Sequence, residues 1–127
     1  MTKLECVVKA MDDKLATNIT AIDMRDVSPM FDTFVLCTAS NERLMQAITD
    51  NIQDECAKNH YEVKSIEGLR NSKWILIDLG DIVCHIFEAA ERESYNLEKL
   101  WGDMPRINIE GMLAKWVMKT LLTIMIA

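Results

Sequence analysis

Two apolar runs, residues 74–79 and 82–87, separated only by Gly80-Asp81, constrain this chain more than any other stretch. A type II′ hairpin loop needs positive φ at its first central position, which glycine adopts at no steric cost. A loop that short dictates the register. Leu79 faces Ile82, Ile77 faces Cys84 and Ile75 faces Ile86, while Asp78–Val83, Leu76–His85 and Trp74–Phe87 pair on the other side. Side chains alternate across a strand, so the ribbon has two unlike faces. One carries Ile75, Ile77, Leu79, Ile82, Cys84 and Ile86, with no polar atom beyond a thiol, and must be core. The other carries Trp74, Leu76, Asp78, Val83, His85 and Phe87. A face so mixed is either half-covered by a second layer or used to bind something.

The rest of the chain supplies layers for that ribbon. Leu4, Val7, Val8, Met11 and Leu15 recur at helical spacing over residues 2–16. Residues 19–24 read as a short strand, and Asp26-Val27-Ser28-Pro29 as a turn. The continuous apolar and β-branched run at 33–39 predicts a central strand buried on both faces. Ser40 or Asn41 can cap a helix reaching about Asn59, with Leu44, Ile48, Ile52 and Cys56 along one side. Residues 61–66 look strand-like, 68–73 form a loop, 88–95 favour helix, and Asn96 can cap a short turn through Trp101. The order α-β-β-α-β-β-β-α predicts a single-domain α/β sandwich with a sheet of mixed strand direction. Residues 102–110, with Pro105, read as a loop. Residues 114–127 are mostly apolar but shorter than the ~20 residues of a membrane span. They read as an element packed on the body, or as a helix for a partner or a membrane surface.

Charge narrows the partners. The 127 residues carry a net charge of −6, which repels phosphate backbones and suits a basic protein better than nucleic acid. Cys6, Cys37, Cys56 and Cys84 lie too far apart for a C-x-x-C motif, so they are expected to be reduced, buried and structural. The N-terminus is charged throughout, without the apolar core of a signal peptide or the Arg- and Ser-rich character of a transit segment. A bacterial cytoplasm is therefore expected.

Chemistry has few candidates. Asp23 with Asp26, and Asp78 with Asp81, are carboxylate pairs near strand ends that could hold magnesium for nucleotidyl transfer. Both pairs also suit turns for local reasons, and no Gly-rich phosphate loop or basic phosphate cradle accompanies them, so no cofactor or metal is expected. His85 lies in an apolar run without a nucleophile motif nearby, and Asp78, diagonal to it, is its expected partner. His60 follows a helix end, where the dipole favours it. Trp74, Tyr95 and Trp101 can be core anchors or interface residues; Trp74 suits an interface and Trp101 packing.

The hairpin stretch W-I-L-I-D-L-G-D-I-V-C-H-I-F followed by R-E-S-Y-N-L-E-K-L-W resembles the signature of the ribosomal silencing factor, or Iojap-like, family. So do Ile22-Asp23-Met24-Arg25, Asp32-Thr33-Phe34-Val35, Ala39-Ser40-Asn41 with Arg43, Gln46-Ala47-Ile48 and Glu67-Gly68. The resemblance covers residues 2–101; Cys84 stands where the family usually has valine, Glu88-Ala89-Ala90 replaces a more acidic run, and the segment 102–127 stands apart as a tail. The resemblance implies a nucleotidyltransferase-like topology without the catalytic loop, and a non-enzymatic role. It implies binding to ribosomal large-subunit protein uL14 (L14), which blocks joining of the small subunit and silences translation when nutrients are scarce. It also implies self-association as a homodimer. The residues expected to meet uL14 are Trp74, Leu76, Asp78, Asp81 and His85 of the hairpin, with Tyr95 and Leu97 beyond it. The rival is a nucleotidyltransferase-like enzyme using Asp23, Asp26, Asp78 and Asp81.

Overall fold

The 33–39 run does become the middle of a sheet. In chain order the elements are α1 (Lys3–Asp13), β1 (Thr17–Asp23), β2 (Thr33–Ala39), α2 (Glu42–Lys58), β3 (Ser65–Glu67), β4 (Trp74–Asp78), β5 (Ile82–Glu88), α3 (Ala89–Tyr95) and β6 (Arg106–Ile107). The computed structural model describes residues 2–68, 73–95 and 104–113, and of 93–95 the backbone alone. The sheet order is β3-β4-β5-β2-β1-β6, with β2 and β5 parallel and every other neighbouring pair antiparallel. The two most apolar strands therefore lie side by side at the centre, where a run such as Val35, Leu36 and Cys37 can be buried on both faces.

Both long helices cover one face. Cys6, Val7, Val8, Ala10 and Met11 of α1 and Met45, Ile48, Ile52 and Cys56 of α2 join Ile75, Ile77, Ile82, Cys84 and Ile86 in one buried cluster. The helix starts follow their sequence signals. The Thr2 hydroxyl accepts from the Glu5 amide at 3.1 Å, and the Asn41 side chain accepts from the Leu44 amide at 2.8 Å. Such caps satisfy amides that have no partner within the helix and each contribute ~1 kcal/mol. Among the described residues no helix is long and apolar enough to cross a membrane.

Three local readings change. Leu15, expected in the apolar stripe of α1, is 78% exposed with φ +63°. The helix stops before it in a Schellman turn: the Leu15 amide donates to the Asp12 carbonyl at 2.9 Å and the Ala16 amide to the Met11 carbonyl at 3.1 Å. The same motif ends α2. His60 follows the helix end as expected and takes φ +62°, with the Tyr61 amide donating to the Cys56 carbonyl at 2.8 Å. The strand expected over 61–66 shrinks to β3, which pairs Ser65, Ile66 and Glu67 with Asp78, Ile77 and Leu76. The Lys64 amide still donates to the Asp78 carbonyl at 2.8 Å, but beyond Asp78 the partner strand turns away at Gly80, leaving residues 61–63 no ladder to join. Conversely, Arg106 and Ile107, expected in a loop, pair with Ile22 and Ala21 as β6. A two-residue strand has no periodicity to read.

Left-handed backbone costs a leucine or histidine side chain more than glycine. Leu15→Gly and His60→Gly are each expected to raise the unfolding free energy by about 0.5–1 kcal/mol, net of glycine's greater chain entropy. Urea titration of the single variants against wild type measures this.

Candidate functional site

The hairpin forms in the expected register. Trp74 pairs with Phe87, Ile75 with Ile86, Leu76 with His85, Ile77 with Cys84 and Asp78 with Val83. Gly80 sits at φ +96°, and the Leu79 amide donates to the Ile82 carbonyl at 2.9 Å. The flanking carboxylates serve this turn. Asp78 Oδ1 accepts from the Gly80 amide at 2.8 Å, and Asp81 Oδ1 takes the Lys3 ammonium at 2.7 Å. That hydrogen bond from Lys3 is the main cause holding the Asp81 carboxyl below its ordinary range. The Asp81 carbonyl also accepts from the Asp32 amide at 2.7 Å, tying the hairpin tip to the β1–β2 loop.

On the side of the sheet away from α1 and α2 lies a row of rings. Phe31 stacks on Phe34 at 4.8 Å between centroids, Phe34 meets His85 edge-on at 4.6 Å, and Trp74 stacks on Phe87 at 4.9 Å. Ile22, Met24, Leu36 and Phe87 form the buried floor, with Phe31, Phe34, Trp74 and Met104 packed around it and half-buried. Leu76 and Asp78 are likewise half-buried. Among the described residues this face is thus neither sealed by a helix layer nor open throughout.

His85 sits beneath that surface at 4% exposure. The Trp74 indole Nε1 donates to His85 Nδ1 at 3.1 Å, which leaves the proton of the neutral ring on Nε2. That atom is buried without a hydrogen-bond partner among the described residues. The expected Asp78–His85 pair does not form: Asp78 turns to Gly80 and His85 to Trp74. The β-carboxyl arm of an aspartate reaches the backbone two residues on more easily than a diagonal ring across the pleat. Desolvation lowers the His85 pKa to about 4, so the ring is a neutral acceptor for the indole.

Arg92 fastens one margin of the same face. From α3 its guanidinium donates to the Asn18 carbonyl, to Thr38 Oγ1 at 2.9 Å and to Thr20 Oγ1 at 3.1 Å. The register of β1 against β2 shifts between Thr17 and Thr20, and this irregularity leaves the Asn18 carbonyl turned from the ladder towards the arginine. Sequence reading missed Arg92, Phe31 and Phe34 as parts of the site. Only the pairing of β2 with β5, whose partners lie 49 positions apart in the chain, sets Phe34 beside His85. The four cysteines are free and buried, and burial pushes the Cys37 and Cys56 thiols up to about 12, so they are inert packing groups.

The carboxylates of the rival reading stand apart. Asp23 is on β1 and Asp78 on β4, with β2 and β5 between them, a separation of ~14 Å at the usual strand spacing. A shared cation needs oxygens at 2–2.6 Å. Asp23 is instead clamped by Arg25, Oδ2 to Nη2 at 2.6 Å, and that hydrogen bond holds its carboxyl down at about 2. Among the described residues no three His, Cys, Asp or Glu side chains gather as a metal donor set. Of the residues expected to meet a partner, Trp74, Leu76, Asp78 and Asp81 share the hairpin's outer face and tip, and His85 lies just below. The Tyr95 side chain, Leu97, Trp101 and residues 114–127 lie outside what is described.

Fold and face together define a single-domain α/β protein whose six-stranded mixed sheet is, among the described residues, covered by α1 and α2 on one side and only partly covered on the other. The chain belongs to the ribosomal silencing factor family: the family model described as ribosomal silencing factor during starvation matches residues 1–120. It is 42% identical to the ribosomal silencing factor RsfS of Bacillus subtilis over 84% of this chain and 91% of that one. The factor of the same name from Halalkalibacterium halodurans is 40% identical, covering 87% of this chain and 95% of its own. A crystal structure of a protein from Bacillus halodurans superposes with a TM-score of 0.73 at 39% identity, over 83% of this chain and 95% of that one. The family is one of ribosome regulators, not enzymes.

The buried neutral histidine makes stability depend on pH. Its native pKa of about 4 lies below the ordinary 6.5, so between these values the unfolded chain binds a proton that the native one refuses. The contribution is complete above pH 6.5 and is lost as pH falls towards 4, by about 3 kcal/mol in all. Guanidinium unfolding at steps from pH 7 to pH 4 is expected to trace that slope, and His85→Phe, which cannot titrate, to remove it.

Proposed function

We propose that this protein silences translation by docking the outer face of its β4–β5 hairpin on ribosomal large-subunit protein uL14, so that the small subunit cannot join. No bond is made or broken in this mechanism; occupancy is the whole effect. Family membership supports the ribosome as target, and the family resemblance supplies uL14 and repression under nutrient limitation. The observation that carries the docking reading is Trp74. Its indole is half-buried, stacked on Phe87 and hydrogen-bonded to His85, so it is held in place while keeping surface to offer. An aromatic presented rigidly loses little entropy on binding, and such residues dominate interface energies. Burying the remaining half of an indole, ~100 Å² at about 25 cal/mol per Å², contributes ~2–3 kcal/mol.

Leu76 beside it extends the apolar contact, while Asp78 and Asp81 at the turn, and Tyr95 and Leu97 beyond α3, complete the proposed set. The chain's net charge of −6 favours encounter with a basic ribosomal protein, an effect that weakens as salt rises. The nucleotidyltransferase-like outline belongs to the same reading, as a scaffold whose carboxylates support turns. We place the protein in the bacterial cytoplasm and assign it a homodimeric state between encounters.

Co-sedimentation with purified large subunits tests the proposal. Wild type is expected to pellet with them and to slow small-subunit joining, and Trp74→Ala to bind at least tenfold more weakly with an unchanged circular dichroism spectrum. Failure of wild type to bind large subunits, or undiminished binding by Trp74→Ala, overturns it.

A further inference from the structure

The outer face does not end at the hairpin. Phe31 and Phe34 continue its ring row towards the β1–β2 loop, where Val27 is 42% and Met30 83% exposed. We propose that this loop, residues 24–32, is a second anchor of the same docking face, with Met30 entering an apolar hollow rimmed by basic side chains on the large-subunit protein. The inference rests on the docking reading above and adds a residue set to it.

An exposed methionine alone means little, because single apolar side chains are common on surfaces. Here three further observations bear on it. First, the loop is braced. The Val27 and Ser28 amides both donate to the Met24 carbonyl at 3.0 Å, Ser28 Oγ accepts from the Met30 amide at 3.1 Å, and the Met24 amide reaches the Asp32 carbonyl at 2.8 Å. Pro29 further restricts the backbone just before Met30. Met30 is therefore presented from a fixed backbone, with a flexible thioether that adapts to the surface it meets.

Second, the loop is joined mechanically to the hairpin. The Asp32 and Thr33 amides both donate to the Asp81 carbonyl, at 2.7 and 3.1 Å. Loop and hairpin tip thus move as one body, and a partner seated on Trp74 and Leu76 meets Met30 at a set distance. Third, the charge around the methionine has one sign to spare. Arg25 is taken up by Asp23 and Lys3 by Asp81, while Asp26 and Asp32, exposed on either side of Met30, make no ion pair among the described residues. An apolar knob between two unmatched carboxylates fits a hollow lined by lysine or arginine, and repels another acidic surface.

The test compares three substitutions for binding to purified large subunits by co-sedimentation, with oligomeric state followed by analytical ultracentrifugation. Met30→Asp is expected to weaken binding at least tenfold, and Met30→Leu to keep it within about twofold. Leu15→Asn alters an equally exposed apolar residue at the far end of β1, ~20 Å away, at a left-handed position that asparagine tolerates, and is expected to change nothing. Since Met30 touches no core, Met30→Asp keeps the wild-type melting temperature. If Met30→Asp binds as wild type does while Trp74→Ala fails, the hairpin reading stands and the second anchor is overturned. If Met30→Asp alters only self-association, the loop is a contact between copies of this chain and the inference is likewise overturned. If wild type itself does not bind large subunits, both readings fall together.

Discussion

The tight turn at Gly80 is the constraint from which the architecture follows. By allowing only Gly80 and Asp81 between the facing residues Leu79 and Ile82 it sets the phase of both strands, and phase decides which side chains face α1 and α2. A slip of one residue would carry Ile75, Ile77, Cys84 and Ile86 outward and bring Asp78 and His85 against the helices. Desolvating an unpartnered carboxylate there costs several kcal/mol, so the alternative register has no stable fold to reach. Asp78 and Asp81 reinforce the turn from either side, one through the Gly80 amide and one through Lys3. Carboxylates that could have suggested catalysis are thereby engaged in holding backbone.

The two faces of the sheet answer different demands. The helix side is packed with aliphatic groups and thiols and contains the bulk of the buried surface. The other side accepts a cost: among the described residues one nitrogen of His85 is buried without a partner, a loss of ~1–3 kcal/mol by the usual measure of an unsatisfied donor. In return its other nitrogen receives the Trp74 indole and its ring joins Phe34 and Phe87. The buried histidine thus orients the half-exposed tryptophan above it. Arg92 plays a comparable part at the margin, anchoring α3 through neutral oxygens of β1 and β2.

Much of the fold was legible because it depends on local patterns. The hairpin register, the caps at Thr2 and Asn41, and the central position of residues 33–39 follow from alternation, turn chemistry and apolar content over short windows. What escaped was non-local or conformational. Leu15 looked apolar and periodic, yet a Schellman turn places it outside. His85 looked set for Asp78, yet the shorter reach of an Asx turn took that carboxylate first. Phe34 carried no mark in the sequence as a neighbour of His85, nor Phe31 as the ring stacked on Phe34.

The sequence by itself determined a two-faced ribbon, its helix layer and its family, because side-chain periods of two and 3.6 and the φ freedom of one glycine are properties of the chain read locally. Only the tertiary structure decided what the outer face offers. The parallel pairing of β2 with β5 joins segments distant along the chain, and the Asp81 carbonyl binds the β1–β2 loop to the hairpin tip. Such contacts form because burial and hydrogen bonding are satisfied jointly over the whole molecule, and no short window of residues contains that information.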